Sequence, residues 1–271
     1  MIAVCIATYN QEQYLAQAIE SALSQRVDEP VRLYIGDDAS TDGTAAICHR
    51  YKDDERVIYL RHAENLGLLD NTLTIYRRIQ SDGCDYIAQL DGDDYWIDDT
   101  KLQQEINYLR SHPETGIVHT AAYDETAGRL VDNDSPIKPV GDIHLCYNLR
   151  GACQTNCTVV FRTNLLKANE LYAIQKEHFP VLDYPLYGLF AQRTKFGYIH
   201  RYTAVWRSHS SVSQPSDFSR YWHYKKERIR MWRWLDNRYP NHFHYRRWKA
   251  AEWLFLQFIR YFLQKMSLFF A

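Results

Sequence analysis

The sequence lacks several features that define well-known protein classes. No run approaches the roughly 20 apolar residues that a membrane-spanning helix needs, because Arg260 interrupts the most hydrophobic part of the C-terminal region. Residues 1–7 contain no basic stretch, so the sequence predicts no signal peptide. A GxGxxG fingerprint and a GxxxxGK[ST] loop are also missing. The missing nucleotide motifs argue against a dinucleotide-dependent dehydrogenase and a P-loop enzyme.

Cysteine is sparse, with six residues in a chain of 271. No CxxC pair and no histidine at metal-ligand spacing accompanies them, so a structural zinc site is not expected. Cys153 and Cys157 have a spacing that would let them share a helix face, but packing is the preferred interpretation. We expect reduced, mostly buried thiols, as in a cytoplasmic protein.

Charge is distributed unevenly, although the formal net charge is only -1. Residues 1–217 carry 20 basic and 30 acidic residues, whereas residues 218–271 carry 12 basic and 3 acidic residues. The same C-terminal stretch holds 17 of the 39 aromatic residues and five of the seven tryptophans. Such a tail favours an anionic partner: lipid head groups, nucleic acid or the acidic body of the protein itself.

Short apolar runs alternate with helical patterns in the first 100 residues. Strands are predicted over residues 2–7, 31–35, 57–60 and 86–90, with helices over 14–23, 45–51 and around 73–79. This alternation predicts an α/β domain with a mostly parallel sheet flanked by helices, and 46% hydrophobic content supports a large core. Polar turns follow the strands at residues 8–10, 37–44, 65–67 and 91–94. Because ligands bind beyond the carboxyl ends of such strands, we expect these turns to form one site rather than four separate helix caps.

The last of these turns contains three acidic residues, Asp91, Asp93 and Asp94, around Gly92. Like charges this close raise one another's pKa unless a cation lies between them. Carboxylate oxygens suit Mg²⁺ or Mn²⁺, which would in turn hold the diphosphate of an activated sugar. The alternative is a solvated acidic turn that starts the helix near Asp98.

Four motifs together resemble family 2 glycosyltransferases of the GT-A fold. They are Ala-Val-Cys-Ile-Ala-Thr-Tyr-Asn at 3–10, Gly-Asp-Asp-Ala-Ser-Thr-Asp-Gly-Thr at 36–44, Glu-Asn-Leu-Gly at 64–67 and Leu-Asp-Gly-Asp-Asp at 90–94. The resemblance is close over 1–130, looser over 140–215 and absent beyond 215. It implies a single Rossmann-like GT-A domain at 1–215, with a nucleotide-sugar-binding half (1–130) and an acceptor-binding half (131–215). Residues 216–271 would then form an aromatic and basic helical extension.

The resemblance also implies roles for individual residues. It places Asp38 on the N3 proton of a uracil-like base and Asp93 on the metal, with Asp91 near the ribose or the metal. The implied nucleotide contacts are Thr8, Tyr9, Asp38, Asn65, Gly67 and Asp91.

Later residues would serve the transfer and the acceptor. Asp183 is similar to the family's catalytic base, although Leu182 stands where a glutamate is commoner, and the alternative is a helix N-cap. A helix N-terminus would also keep that carboxylate ionised. Residues 202–213 resemble a segment that closes over the diphosphate, where Arg207 would contact a phosphate and His209 the metal or a phosphate. Weaker candidates for acceptor contacts are Gln154, Thr155 and Asn156.

The preferred function is therefore metal-dependent inverting transfer from a nucleotide diphosphate sugar, with a UDP-sugar favoured, to a glycan or lipid-linked acceptor in surface polysaccharide biosynthesis. The basic, aromatic tail would reach the inner face of the cytoplasmic membrane. Helices packed on the protein or on a second copy are the alternative, and nucleic acid is disfavoured. A non-catalytic nucleotide-sugar-binding scaffold and a sugar nucleotidyltransferase are the competing functions.

Overall fold

The computed structural model describes residues 1–126, 129–132, 155–207 and 217–239, together with residues 251, 254–256, 258, 259 and 261. The strands in these ranges are β1 (Ile2–Thr8), β2 (Val31–Asp37), β3 (Val57–Arg61), β4 (Tyr86–Gln89), β5 (Tyr95–Trp96), β6 (Thr115–Thr126), β7 (Arg129–Asp132), β8 (Val160–Arg162) and β9 (Lys195–Arg207). The α-helices are α1 (Leu15–Leu23), α2 (Thr44–Arg50), α3 (Leu68–Ser81), α4 (Lys101–Ser111), α5 (Ala168–Lys176), α6 (Asp183–Phe190) and α7 (Phe218–Arg238). Short 3₁₀ turns span Asn156–Thr158 and Thr163–Leu165.

The described strands form one sheet in the order β3-β2-β1-β4-β8-β6-β9-β5, with β7 paired to β6. Pairing is parallel between β1 and β2, β1 and β4, β2 and β3, and β6 and β9. Strand β8 is antiparallel to both β4 and β6, and β5 is antiparallel to β9. Six of these nine strands therefore run in one direction, which confirms the predicted mostly parallel sheet.

Both faces of the sheet are covered by helices, which explains the continuous apolar run of β1. Ile2, Val4 and Ile6 pack in a core with α1, α2 and α4. Ala3 and Cys5 face the opposite core, which contains residues of α3, α5, α6 and α7. A strand buried on both sides has no polar face to alternate with.

The four predicted strands match β1 to β4 within two residues at each end, and the three predicted helices correspond to α1, α2 and α3. The helix expected near Asp98 is α4, whose first backbone N–H, on Lys101, donates to the Asp98 carbonyl at 3.2 Å. Strands β5 to β9 were not predicted. They include the two longest strands, β6 and β9. Charged and polar residues interrupt the apolar residues in both sequences, so neither forms a continuous apolar run.

Helix α7, the longest described part of the predicted extension, packs onto the α/β core. The Leu235 side chain lies against Gly188 of α6, where an added Cβ would come within 2.5 Å of the leucine Cδ1. Trp234 makes an edge contact with Phe179, with ring centroids 5.6 Å apart. Burying such side chains contributes about 2 kcal/mol each. For α7, packing on the protein is therefore what the structure shows, and the domain boundary at 215 stays a prediction.

Candidate active site

The turns after β1 and β2 are joined into one wall by hydrogen bonds. The Asp38 backbone N–H donates to the Thr8 carbonyl at 3.0 Å. The Thr41 N–H donates to Asn10 Oδ1 at 2.8 Å. Asn10 and Ala39 hold φ at 52° and 57°, the left-handed region that non-glycine residues enter at a cost. Asparagine adopts this conformation readily, so the strain lies mainly at Ala39, which the surrounding hydrogen bonds hold in place.

Asp38 connects that wall to the turn after β3. Its buried carboxylate accepts the Leu66 N–H at 2.7 Å through Oδ1 and the Gly67 N–H at 2.8 Å through Oδ2. The Asn65 side-chain amide donates to the Asp38 carbonyl at 3.2 Å. We expected this carboxylate to face a nucleobase, and the structure gives it backbone partners instead. Asp38 thus fixes the position of residues 65–67, and its contact with a base stays a prediction.

Large apolar side chains are exposed beside these turns. Tyr9, Leu66 and Leu68 are 47%, 40% and 43% exposed. Thr8, in contrast, is buried, and its hydroxyl donates to Gln11 Oε1 at 2.7 Å. Exposed aromatic and aliphatic groups next to convergent polar turns offer a surface on which a planar base can pack.

The acidic turn packs directly on the end of β1. Gly92 permits this contact, since a Cβ there would lie 3.1 Å from the Thr8 Cβ and would overlap Gln11 Oε1. The Asp94 N–H donates to the Asp91 carbonyl at 3.0 Å and closes the turn. The predicted convergence of strand-end turns is thereby observed for all four strands, β1 to β4.

Asp91 lies at the centre of a group of carboxylates. Both of its oxygens accept from the Asn156 side-chain Nδ2, at 3.0 and 3.2 Å. Burial, with smaller contributions from Asp93 and Asp183, raises the pKa of Asp91 to about 7, while the Asn156 hydrogen bond opposes the rise. Asn156 also accepts from Tyr187, one helical turn after Asp183, so the fold brings the start of α6 close to the acidic turn.

Asp183 is the first residue of α6. Burial raises the pKa of its carboxyl, and the Tyr184 backbone N–H and the Arg228 guanidinium act in the opposite direction. The sequence predicted that the helix N-terminus would keep this carboxylate ionised at neutral pH, and that stays a prediction. The structure adds the effect of burial, which moves the pKa upward against the backbone N–H groups of the helix start. A raised pKa brings a carboxylate closer to the value that suits a general base.

Asp94 faces away from the open side of the turn. Its buried side chain accepts the Arg207 backbone N–H through Oδ1 at 2.9 Å. Burial, together with Asp91 and Asp93, raises the pKa of Asp94 well above its usual range. The third acidic residue therefore supports the turn and is not available as a ligand.

The side chain of Arg207, at the end of β9, contacts the same turn. Its guanidinium donates to the Asp93 carbonyl at 2.6 Å and to Glu125 at 2.9 Å. It also lies between the rings of Tyr14 and Tyr95, at 4.9 and 4.6 Å from their centroids. These protein groups surround a side chain that is only 11% exposed, and the expected contact of Arg207 with a phosphate stays a prediction.

The expected acceptor residues divide into two groups. Gln154, like His209, lies outside the described residues. The Thr155 carbonyl accepts from Thr158 in the 3₁₀ turn, and the Asn156 amide is directed at Asp91 rather than at solvent. The sequence missed Tyr187, whose hydroxyl donates to Asn156 Oδ1 at 2.9 Å. Its spacing of four residues from Asp183 places both on one helix face, which is the only signal that was available.

A divalent ion fits part of this site. Across the described ranges, no group of three or more His, Cys, Asp or Glu side chains is arranged to hold a metal. Asp91 and Asp93 nevertheless supply two carboxylates, and the raised pKa of Asp91 is what an added cation would relieve. Magnesium-type ions commonly bind through one or two carboxylates, with the remaining ligands supplied by substrate phosphates and water.

Solved structures with this fold include glycosyltransferases. Staphylococcus aureus TarS 1-349 in complex with UDP-GlcNAc superposes with a TM-score of 0.66 at 16% identity, covering 93% of this chain and 70% of that one. The Pyrobaculum calidifontis mannosyltransferase PcManGT in complex with GDP-Man and Mn²⁺ gives a TM-score of 0.57 at 14% identity, covering 87% and 64%. The likeness confirms the predicted GT-A fold.

Curated relatives match the N-terminal part of the chain. The Escherichia coli UDP-Glc:alpha-D-GlcNAc-diphosphoundecaprenol beta-1,3-glucosyltransferase WfaP is 32% identical over 111 residues, or 41% of this chain and 42% of that protein. The Salmonella typhimurium abequosyltransferase RfbV is 31% identical over 123 residues, or 43% and 37%. The match thus spans less than half the length of these relatives. The family model for glycosyl transferase family 2 matches residues 3–168, and the chain belongs to that family.

Proposed function

We propose that this chain is an inverting glycosyltransferase that moves a sugar from a nucleotide diphosphate sugar to a hydroxyl group of a glycan or lipid-linked acceptor. The observation that carries the proposal is the hydrogen-bonded link from Asp91, beyond the ends of the parallel strands, through Asn156 to Tyr187, which lies one helical turn after Asp183. One carboxylate on the donor side and one at the start of a later helix are the two groups that such a transfer requires.

The donor would bind against the wall formed by the turns after β1, β2 and β3. Tyr9 is exposed and available to pack against a base, and the turn at 65–67 is held in place by Asp38. A UDP-sugar is the favoured donor, because WfaP is named for UDP-Glc and TarS was solved with UDP-GlcNAc. PcManGT, which has the same fold, binds GDP-Man, so the fold alone does not select the base.

Asp93 and Asp91 would hold a divalent ion, with Mn²⁺ or Mg²⁺ as the candidates. When bound, such an ion offsets the negative charge that develops on the departing diphosphate. Arg207 contributes indirectly, since it fixes the Asp93 carbonyl and thus the conformation of the turn. The Mn²⁺ complex of PcManGT supports this assignment.

Asp183 would accept the proton of the acceptor hydroxyl as that oxygen attacks the sugar on the face opposite the diphosphate. The direction of its pKa shift, upward through burial, favours this role over that of a simple helix cap. The departing nucleoside diphosphate keeps the electron pair of the broken glycosidic bond.

The acceptor side would lie at an anionic membrane surface. Phe255, Leu256, Phe258 and Ile259 are 63%, 53%, 41% and 39% exposed on one helical segment. They fall in a tail with an excess of nine basic over acidic residues. An apolar helix face in a basic segment is the pattern of an interfacial helix. Within the part of the chain that the structure describes, no helix has the length and apolar character needed to cross a bilayer.

A panel of nucleotide sugars tests the proposal, with and without Mn²⁺, by measuring release of the nucleoside diphosphate in the presence of glycan and lipid-linked acceptors. Asp183→Asn should lose turnover about 100-fold or more and keep donor binding, whereas Asp93→Asn should lose donor binding. Asp99→Asn, at an exposed surface ion pair with Arg26, is the control and should behave as wild type. Turnover of Asp183→Asn at the wild-type rate would refute the assigned base.

The same experiment separates the competing functions. Donor binding without turnover across the acceptors would indicate a nucleotide-sugar-binding scaffold. Release of pyrophosphate from a nucleoside triphosphate and a sugar phosphate would indicate a nucleotidyltransferase.

A further inference from the structure

A chain of hydrogen bonds joins helix α6 to the acidic turn. The Tyr187 hydroxyl donates to Asn156 Oδ1 at 2.9 Å, and the same amide donates through Nδ2 to both oxygens of Asp91. Tyr187 lies one helical turn after Asp183, the first residue of α6. One helix therefore carries the proposed base and also contacts, through a single intervening side chain, the carboxylate on the donor side.

The direction of the Asn156 amide is determined by these partners. Its oxygen faces a hydroxyl donor and its NH₂ group faces a carboxylate, so the reversed orientation would place oxygen against Asp91 and leave the tyrosine hydroxyl without its acceptor. Tyr187 is 1% exposed, and water therefore does not compete for its proton. Burial and the nearby carboxylates Asp183 and Asp91 raise the pKa of Tyr187 well above its usual value, which keeps the hydroxyl a donor.

The backbone around Asn156 is held as firmly as its side chain. The Trp96 indole N–H donates to the Cys157 carbonyl at 2.7 Å. The Lys101 ammonium donates to the Thr158 carbonyl at 3.3 Å. Three consecutive residues of the 3₁₀ turn thus contact three different points along residues 91–101. Such a turn has little freedom to move relative to the acidic turn.

We propose that Tyr187 and Asn156 are positioning residues that orient the Asp91 carboxylate for the metal and diphosphate of the donor and tie that orientation to the helix that carries Asp183. The proposal deepens the function proposed above and rests on it. Mutation of a group that hydrogen-bonds a metal ligand typically lowers metal affinity or activity about 10- to 100-fold.

The test measures binding of UDP in the presence of Mn²⁺ by calorimetry, and binding of Mn²⁺ in the presence of UDP by the loss of the free-ion paramagnetic resonance signal. Tyr187→Phe should raise both dissociation constants about tenfold, because the amide loses the partner that fixes its direction. Asn156→Asp should raise them further, since it places a second carboxylate against Asp91. In steady-state assays, Tyr187→Phe should raise the KM for the donor more than it lowers kcat.

Tyr34→Phe is the matched control. Tyr34 is also fully buried, and its hydroxyl donates to Asp82 at 2.9 Å, at the end of α3. This variant loses a hydrogen bond of the same kind without touching the acidic turn, so UDP and Mn²⁺ binding should stay at wild-type values. Thermal unfolding of each variant reports any loss of stability separately.

Two outcomes would overturn the inference: wild-type dissociation constants in Tyr187→Phe, or equal weakening in Tyr34→Phe. Both presuppose a wild-type chain that binds UDP with Mn²⁺. A wild-type chain that binds neither would instead contradict the proposed function, so the two failures are distinguishable.

Discussion

The carboxylate of Asp38 accepts the backbone N–H of Gly67 at 2.8 Å, at a point where Gly67 holds φ at 85° and ψ at 158°. That region of backbone conformation is essentially restricted to glycine. The turn at 65–67 therefore depends on a glycine and a buried carboxylate acting together.

Gly67→Ala should destabilise the fold by about 1–3 kcal/mol and weaken UDP binding, because relief of the strain moves the N–H away from Asp38. Gly83→Ala is the control, since Gly83 also has a positive φ, of 70°, with open space around it, and lies in the turn before β4. Denaturant unfolding should show a loss for both variants, and calorimetry with UDP should show a loss only for Gly67→Ala. Equal UDP affinity in the two variants would contradict a role for this turn in donor binding.

Gly92→Ala should displace the acidic turn, because the added Cβ meets Thr8 and Gln11 at the end of β1. We expect binding of UDP with Mn²⁺ to weaken by tenfold or more, on the order of 1.4 kcal/mol. Gly116→Ala provides the comparison: its Cβ would meet Thr194 near the start of β6, at the opposite end of the sheet, so donor affinity should stay at the wild-type value. Unchanged donor affinity in Gly92→Ala would show that the turn tolerates the displacement.

His119 should make stability depend on pH. Burial lowers the pKa of His119 to about 4, and the Lys101 ammonium acts in the same direction. The unfolded chain binds a proton near pH 6.5, so the stabilisation is complete above that pH and is lost as the pH falls toward 4. The loss is up to about 3 kcal/mol.

Asp91 and Glu105, whose carboxyl pKa values are raised to about 7, have the opposite effect on stability between pH 4 and pH 7: they stabilise the fold as the pH falls. The comparison is therefore between the wild type and His119→Phe, which keeps a ring against Tyr198. In urea unfolding, the free energy of unfolding at pH 6.5 minus that at pH 4.5 should be lower in the variant than in the wild type by about 2 kcal/mol, because the variant lacks the histidine's contribution. An identical pH response in both proteins would rule out His119 as the cause.

Phe255→Glu combined with Ile259→Glu should abolish binding to anionic vesicles, because it places charge on the exposed apolar face of the tail. Flotation with phosphatidylglycerol-containing vesicles measures the effect, and neutral phosphatidylcholine vesicles report the electrostatic contribution. Tyr172→Glu is the control, since Tyr172 is a comparably exposed aromatic residue, at 58%, on α5. Retained flotation of the double variant would exclude this face, and a concentration-dependent dimer lost in the variant would indicate a second copy as its partner.

The sequence predicted the first four strands and their turns correctly because each apolar run is followed, within five residues, by a polar turn that contains glycine, asparagine or aspartate. It did not predict the partners of Arg207 or Asn156. Arg207 meets Asp93 and Asp94 across more than 110 residues, and only the pairing of β5 with β9 brings them together. The role of Tyr187 was not predicted for another reason. This residue lies inside an apolar stretch, where a tyrosine is normally expected only to pack in the hydrophobic core.

Because the sheet is buried on both faces, residues that are adjacent in a strand pack in different hydrophobic cores. Val4 and Cys5 are adjacent in β1, yet Val4 packs with α1, α2 and α4, and Cys5 with the layer that contains α6 and α7. Repacking the α1, α2 and α4 layer should therefore leave the helices behind Asp183 undisturbed. Evolution or design can vary the two layers independently, provided that Trp96 and Lys101, which hold the turn of Asn156 from the α4 side, are kept.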